Sequence, residues 1–110
     1  MVFYFTAVVS GNVSSFSVLI NATSAGFRDP ETNPAEGKLA PHLLVMDIAF
    51  IPVETKLIVD AKAIGCETVS GTRMLVHQAC GQIELYTGGK AAPFEVMESV
   101  LLAEIGKMSP

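Results

Sequence analysis

The chain has 110 residues, half of them hydrophobic, and a formal net charge of -4. That length holds one small domain, and the lack of any basic cluster excludes a nucleic-acid-binding surface. A mean hydropathy of +0.46 is high for so short a chain, so some apolar surface is expected to be covered by a partner or a second copy.

Met1 to Val9 is apolar and aromatic. Nine residues are too few to cross a bilayer, and no basic segment or cleavage site marks a signal peptide. Residues 2–9 read as a strand, or as sequence left where a longer chain was cut. A cytoplasmic protein with no membrane association is expected. Ser10, Gly11 and Asn12 are turn chemistry. Ser17 to Asn21 reads as a short buried strand. It runs into Ala22-Thr-Ser-Ala-Gly26. Small side chains there either let a ligand approach the backbone or simply make a surface turn.

Phe27 to Pro41 holds three prolines and reads as a loop with room for one helical turn. Leu43 to Phe50 is the strongest strand signal, apolar apart from Asp47. Near-continuous apolar strands belong to parallel sheets covered on both faces. Asp47, near the strand's C-terminal end, is read as structural first, capping a neighbouring loop. Pro52 stops the strand.

Glu54 to Ile64 follows helical spacing through Leu57, Ile58, Ala61 and Ile64, with Gly65 as its C-cap. Glu67 to Val69 is a third strand. A long helix is predicted from Gly71 to the Gly88-Gly89 pair. Leu75, Ala79, Ile83 and Tyr86 mark one face, and Met74, Gln78, Gln82 and Leu85 an adjoining stripe. Gln78 has two readings, a satisfied, partly buried amide or a group reaching into a ligand pocket, and spacing favours the first. Pro93 suits the start of a last helix, with Val96, Val100 and Ile105 on one face and Met97 and Leu101 beside it. Met108 to Pro110 should fray. Cys66 and Cys80 show no CxxC spacing and read as reduced, buried thiols, with no metal site. This order of elements is α/β and predicts parallel strands with right-handed crossovers.

Four stretches in order resemble the C-terminal part of shikimate dehydrogenases: Leu19-Ile-Asn-Ala-Thr-Ser-Ala-Gly26; Met46-Asp-Ile-Ala-Phe-Ile-Pro52 with Glu54-Thr-Lys-Leu57; Gly71-x-x-Met-Leu-Val-His-Gln-Ala79; and Gln82-Ile-Glu-Leu-Tyr-Thr-Gly88 with Ala92-Pro93 and Glu95-Val-Met97. The match runs from about Phe16 to the C-terminus. It divides the chain into an unmatched segment, residues 1–15, and a partial NAD(P)-binding domain, residues 16–110. The resemblance implies the second half of a Rossmann-like domain: a short parallel sheet flanked by helices, with C-terminal helices. A complete domain of that kind needs roughly 150 residues and a glycine-rich turn before its first helix. This chain has no GxGxxG.

In that family an N-terminal domain binds shikimate and supplies a catalytic Lys-Asp pair, while hydride moves to or from NADP. Neither catalytic residue has a matching position here, so no catalytic residue is expected. The resemblance gives Gln78 and Phe50 a substrate-binding role. It gives Thr23, Ser24, Ile48 and Gly71 places along the nicotinamide end of NADP, or of NAD. Phe50 stands where many members have a tyrosine, which leaves a substrate of shikimate or quinate type. Thr72 and Arg73 replace the more usual Leu-Gly. Arg73 is free to pair with a carboxylate or phosphate, and equally to stay unpaired at the surface, the reading favoured here. Lys56 and Lys62 read as surface lysines. His77 points about 100° away from Gln78 and reads as packing or solvated. Alone, the chain is expected to be inactive, with weak or absent cofactor binding. A second reading is a non-catalytic domain that self-associates, a homo-oligomer, because a half-sheet leaves an open edge.

Overall fold

A computed structural model describes residues 15–108. The strand expected over residues 2–9, the turn at 10–12 and the last two residues lie outside them. Three strands, β1 (Val18–Asn21), β2 (Leu44–Asp47) and β3 (Glu67–Val69), form a parallel sheet in the order β1-β2-β3. Val18 pairs with Leu44, Asn21 with Asp47, and Leu44 with Glu67. Three helices follow the expected order: α1 (Lys56–Ile64), α2 (Gly71–Tyr86) and α3 (Phe94–Met108). The α/β class and the parallel sheet are as the sequence predicted.

β2 is shorter than the eight residues expected. Asp47 ends it. The Asp47 Oδ1 accepts the Ala49 N–H at 3.0 Å, which turns the chain out of the sheet. The Ile48 N–H still donates to the Asn21 carbonyl at 3.0 Å, so the two strand ends stay tied just beyond the ladder.

One face of the sheet packs on α1. Leu43, Val45, Leu57, Ala61, Ala35 and Cys66 form the core, with Leu19, Leu39 and Ala40 against it. Strand side chains alternate, so Asn21 and Asp47 point to the same side as Leu19 and Val45, two residues further on. The apolar line therefore ends in a polar pair at the C-terminal edge of the sheet. α1 starts there. Thr55 is its N-cap, accepting the Ile58 N–H, and Gly65 closes it at φ 103°, donating to the Ala61 and Lys62 carbonyls.

The exposed and buried faces of the last two helices differ from expectation. In α2 the buried residues are Gly71, Thr72 and Val76. Leu75, Ala79 and Ile83 are half-buried, whereas Tyr86 is 83% exposed. Sixteen residues make a helix of about 24 Å, against roughly 13 Å for a four-residue strand, so α2 outruns the sheet. In α3 the inward line is Phe94, Met97, Leu101 and Ile105, while Val96 and Val100 are 61% and 57% exposed. Contacts with α2 choose that line. Phe94 meets His77 and Arg73, and Met97 meets Cys80.

Candidate functional site at the strand ends

Three of the four motif stretches meet at the C-terminal edge of the sheet; the fourth, from Gln82 to Met97, runs on along α2 and α3, where Tyr86 is exposed. Asp47 is the junction and is 0% exposed. Its Oδ1 accepts Asn21 Nδ2 at 3.0 Å and the Ala49 N–H at 3.0 Å, and its Oδ2 accepts the Thr55 hydroxyl at 2.6 Å. Burial pushes this carboxyl above its ordinary range, and the bonds from Thr55, Ala49 and Asn21 pull the other way.

Asn21 in turn shapes the small-residue turn. Its Oδ1 accepts both the Thr23 N–H at 3.1 Å and the Thr23 hydroxyl at 2.6 Å. Its Nδ2 also donates to the Ala25 carbonyl at 3.0 Å. Thr23 Oγ1 accepts the Ala25 N–H at 3.2 Å. The turn is thus held from inside, and Thr23 and Ser24 present exposed faces above the strand end.

Gly71 brings in the third segment. A Cβ there would lie 2.7 Å from the Asp47 carbonyl oxygen and 2.9 Å from the Ile48 carbonyl carbon, and still closer to the Ile48 carbonyl oxygen. All three atoms are backbone. The first turn of α2 is therefore seated directly on the end of β2, an approach that only glycine permits.

Gln78 lies seven residues on from Gly71. That is about two turns, roughly 10.5 Å along the axis, and within about 20° of the same bearing. Burial falls along this line: Gly71 is buried, Met74 and Leu75 half-buried, and Gln78 exposed. The face that touches the strand end thus continues into solvent above it. The partly buried reading of Gln78 is not what the fold gives. Phe50 is half-buried, and its ring meets that of Phe27 edge-on at 6.2 Å.

Other candidates resolve differently. His77 stacks on Phe94 at 4.5 Å, away from Gln78. Arg73 does not stay unpaired: it pairs with Glu98 at 2.9 Å and lies over the Phe94 ring at 4.8 Å. Lys56 pairs with Asp60, and Lys62 with Glu54, both on the surface of α1. Cys66 is buried and Cys80 half-buried; both are free thiols. No cluster of three metal-ligating side chains occurs among the described residues, nor any helix long and apolar enough to cross a membrane. A depression of about 330 Å³ lies beside α1, lined by Val53, Ile58, Lys62, Val69, Ser70 and Arg73 among others. It includes none of Thr23, Ser24, Ile48, Gly71 or Gln78.

The sequence reading missed Thr55 and undervalued Asn21. A threonine two residues before the first apolar helical position, Leu57, is a cap signal. Asn21, a polar residue closing an apolar strand, carried no sign of its buried partner 26 positions away.

The strand-end arrangement fits only part of a dinucleotide. The small-residue turn is exposed at Thr23 and Ser24, beside the Gly71 seat. No described segment forms a glycine-rich phosphate cradle.

Comparison with known proteins agrees with this picture. A family model described as the shikimate 5'-dehydrogenase C-terminal domain matches residues 71–102. The chain is similar to the NADP(+) shikimate dehydrogenase of Halorubrum lacusprofundi, at 38% identity over 94 residues, covering 84% of this chain and 34% of that protein. It is also similar to the NAD(+) quinate/shikimate dehydrogenase of Corynebacterium efficiens, at 44% identity over 71 residues, covering 64% and 25%. A crystal structure of a shikimate dehydrogenase in complex with NADP+ superposes with a TM-score of 0.79 at 28% identity, covering 88% of this chain and 34% of that one. The chain thus spans about a third of the length of the Halorubrum protein. In sequence and in fold, it belongs to the shikimate/quinate dehydrogenase family and matches its C-terminal part.

Proposed function

We propose that this chain supplies one wall of the nicotinamide and substrate cleft of a shikimate dehydrogenase-type oxidoreductase, interconverting 3-dehydroshikimate and shikimate or acting on a quinate-type substrate. The observation that carries this reading is the seat of Gly71 on the Asp47–Ile48 backbone, beside the Asn21–Thr23 turn. Ligands of open α/β sheets bind beyond the carboxyl ends of the strands, and these segments meet at that edge. Thr23, Ser24, Ile48 and Gly71 would lie along the nicotinamide ring, and Gln78 would donate to or accept from a substrate hydroxyl. Phe50 would border the substrate through its ring alone. A bound nicotinamide supplies the hydride chemistry; these residues orient it and exclude water from one side. NADP is favoured by the relatives named for it, and NAD by the quinate-type relative.

Among the described residues, the one shifted carboxyl at this edge, Asp47, is buried with both oxygens taken by Asn21, Ala49 and Thr55, so none presents an open group for proton transfer. Lys56 and Lys62 are tied in surface ion pairs, and a general base requires a desolvated, shifted group beside the substrate. The purified chain is therefore expected to show no turnover of shikimate or quinate with NADP+ or NAD+. Full turnover by the chain alone, measured as reduced cofactor formed, would contradict this division of labour.

A second property rests on α3. Its outward face carries Val96 and Val100, more than half exposed, and a helix apolar on both sides is normally covered. A second copy of this chain is the occupant proposed for that face, in keeping with the high mean hydropathy.

A further inference from the structure

Asp47 is buried without a cation beside it. Its partners are Asn21 from β1, Ala49 from its own loop and Thr55 at the start of α1. Gly71 from α2 closes over its backbone. None of these groups titrates. Taking a carboxylate out of water costs free energy unless several donors are aimed at it. Capping α1 would need only Thr55, whose hydroxyl already accepts the Ile58 N–H. The buried charge is therefore more than the helix start requires.

The oxygen not used by Thr55 shows what the buried carboxyl does. Oδ1 alone takes both Asn21 and the Ala49 N–H. The first bond reaches the side chain that holds Thr23 and Ala25 in their turn. The second fixes the backbone on either side of Ile48. One atom thus sets the turn and the strand end in mutual register, from below the surface they present.

We propose that Asp47 is a positioning residue for the nicotinamide wall, holding the Thr23–Ser24 turn and the Ile48 backbone at a fixed spacing through Asn21 and the Ala49 N–H. It does not touch the ligand. The proposal rests on the nicotinamide reading above, and its test separates the two.

The test places a second carboxylate across the same contact. In Asn21→Asp, two acids face each other where an amide met a carboxylate. At neutral pH they repel; at acidic pH they share one proton and rejoin. Binding of nicotinamide mononucleotide, followed by amide resonances, is expected to weaken about tenfold or more at neutral pH and to recover on acidification. The Thr23, Ala25 and Ile48 amides should move together in the free protein and return together. A second pair guards against misfolding. Asp47→Ala should lose affinity to a similar degree, and Asp47→Asn should rescue most of it, because a single oxygen carries both positioning bonds.

Unchanged affinity in Asn21→Asp at neutral pH would overturn the proposal. So would loss of affinity in Asp47→Asn with the three amides unmoved, since that makes Asp47 a ligand contact. If the parent chain shows no shifts with nicotinamide mononucleotide, the nicotinamide reading fails. The concerted, acid-reversible movement of the three amides then decides the role of Asp47 alone.

Discussion

Single atoms decide most of this site. Gly71→Ala sets a methyl against the carbonyl groups of Asp47 and Ile48. Backbone cannot swing aside as a side chain does. The substitution is expected to destabilise the fold by about 1–3 kcal/mol, read by thermal or denaturant unfolding, and to shift the Ile48 amide. Unchanged stability and an unmoved Ile48 resonance would contradict the seat described here. Asp60 supplies a pH signature. Bonds from Asn33 and Lys56 hold its carboxyl below the ordinary value of 3.8. A depressed carboxyl stabilises the fold above its unfolded value, and that stability is lost as pH falls through the folded one. Asp60→Asn is therefore expected to cost up to about 1 kcal/mol at neutral pH, with the difference from the parent closing below pH 3.8. A difference that grows on acidification would reverse the sign of this account.

The elements were legible in the sequence where local chemistry decides them. The two glycines that end helices stand where expected: Gly65 closes α1, and Gly89 donates to the Glu84 carbonyl after α2. Pro93 precedes α3 and accepts the Met97 N–H. Faces were less legible. Periodicity put Tyr86 and Val100 inward, yet tertiary contacts chose otherwise. Phe94 and Met97 bind α3 to α2 through His77, Arg73 and Cys80, which turns Val96 and Val100 outward. A helix pattern apolar on two sides does not say which side wins. Sedimentation at rising concentration tests the outward side. The parent chain should grow from monomer to dimer, and Val100→Lys should remain monomeric with its fold intact. A parent that stays monomeric at high concentration would remove the proposed second copy.

At the scale of the molecule, the sequence disclosed the class, the order of elements along the chain and the motif segments. It did not disclose that Asn21, Asp47 and Thr55 share one buried network, because partners 26 and 8 positions apart leave no local pattern. Nor could it show that Gly71 sits on backbone rather than in open space. These contacts make the strand ends a single rigid edge, and a rigid edge is what positions a ligand. The same network keeps the Asp47 carboxyl buried and bonded to Asn21, Ala49 and Thr55, so it is not presented as an acid or base at the surface of the edge. The most direct test is an amide shift map of the full chain with NADPH and shikimate together at millimolar concentration. The expected result is a contiguous set of shifts at Thr23, Ser24, Ile48, Gly71 and Gln78. Shifts confined to the depression beside Lys62 and Arg73, or none at all, would contradict it.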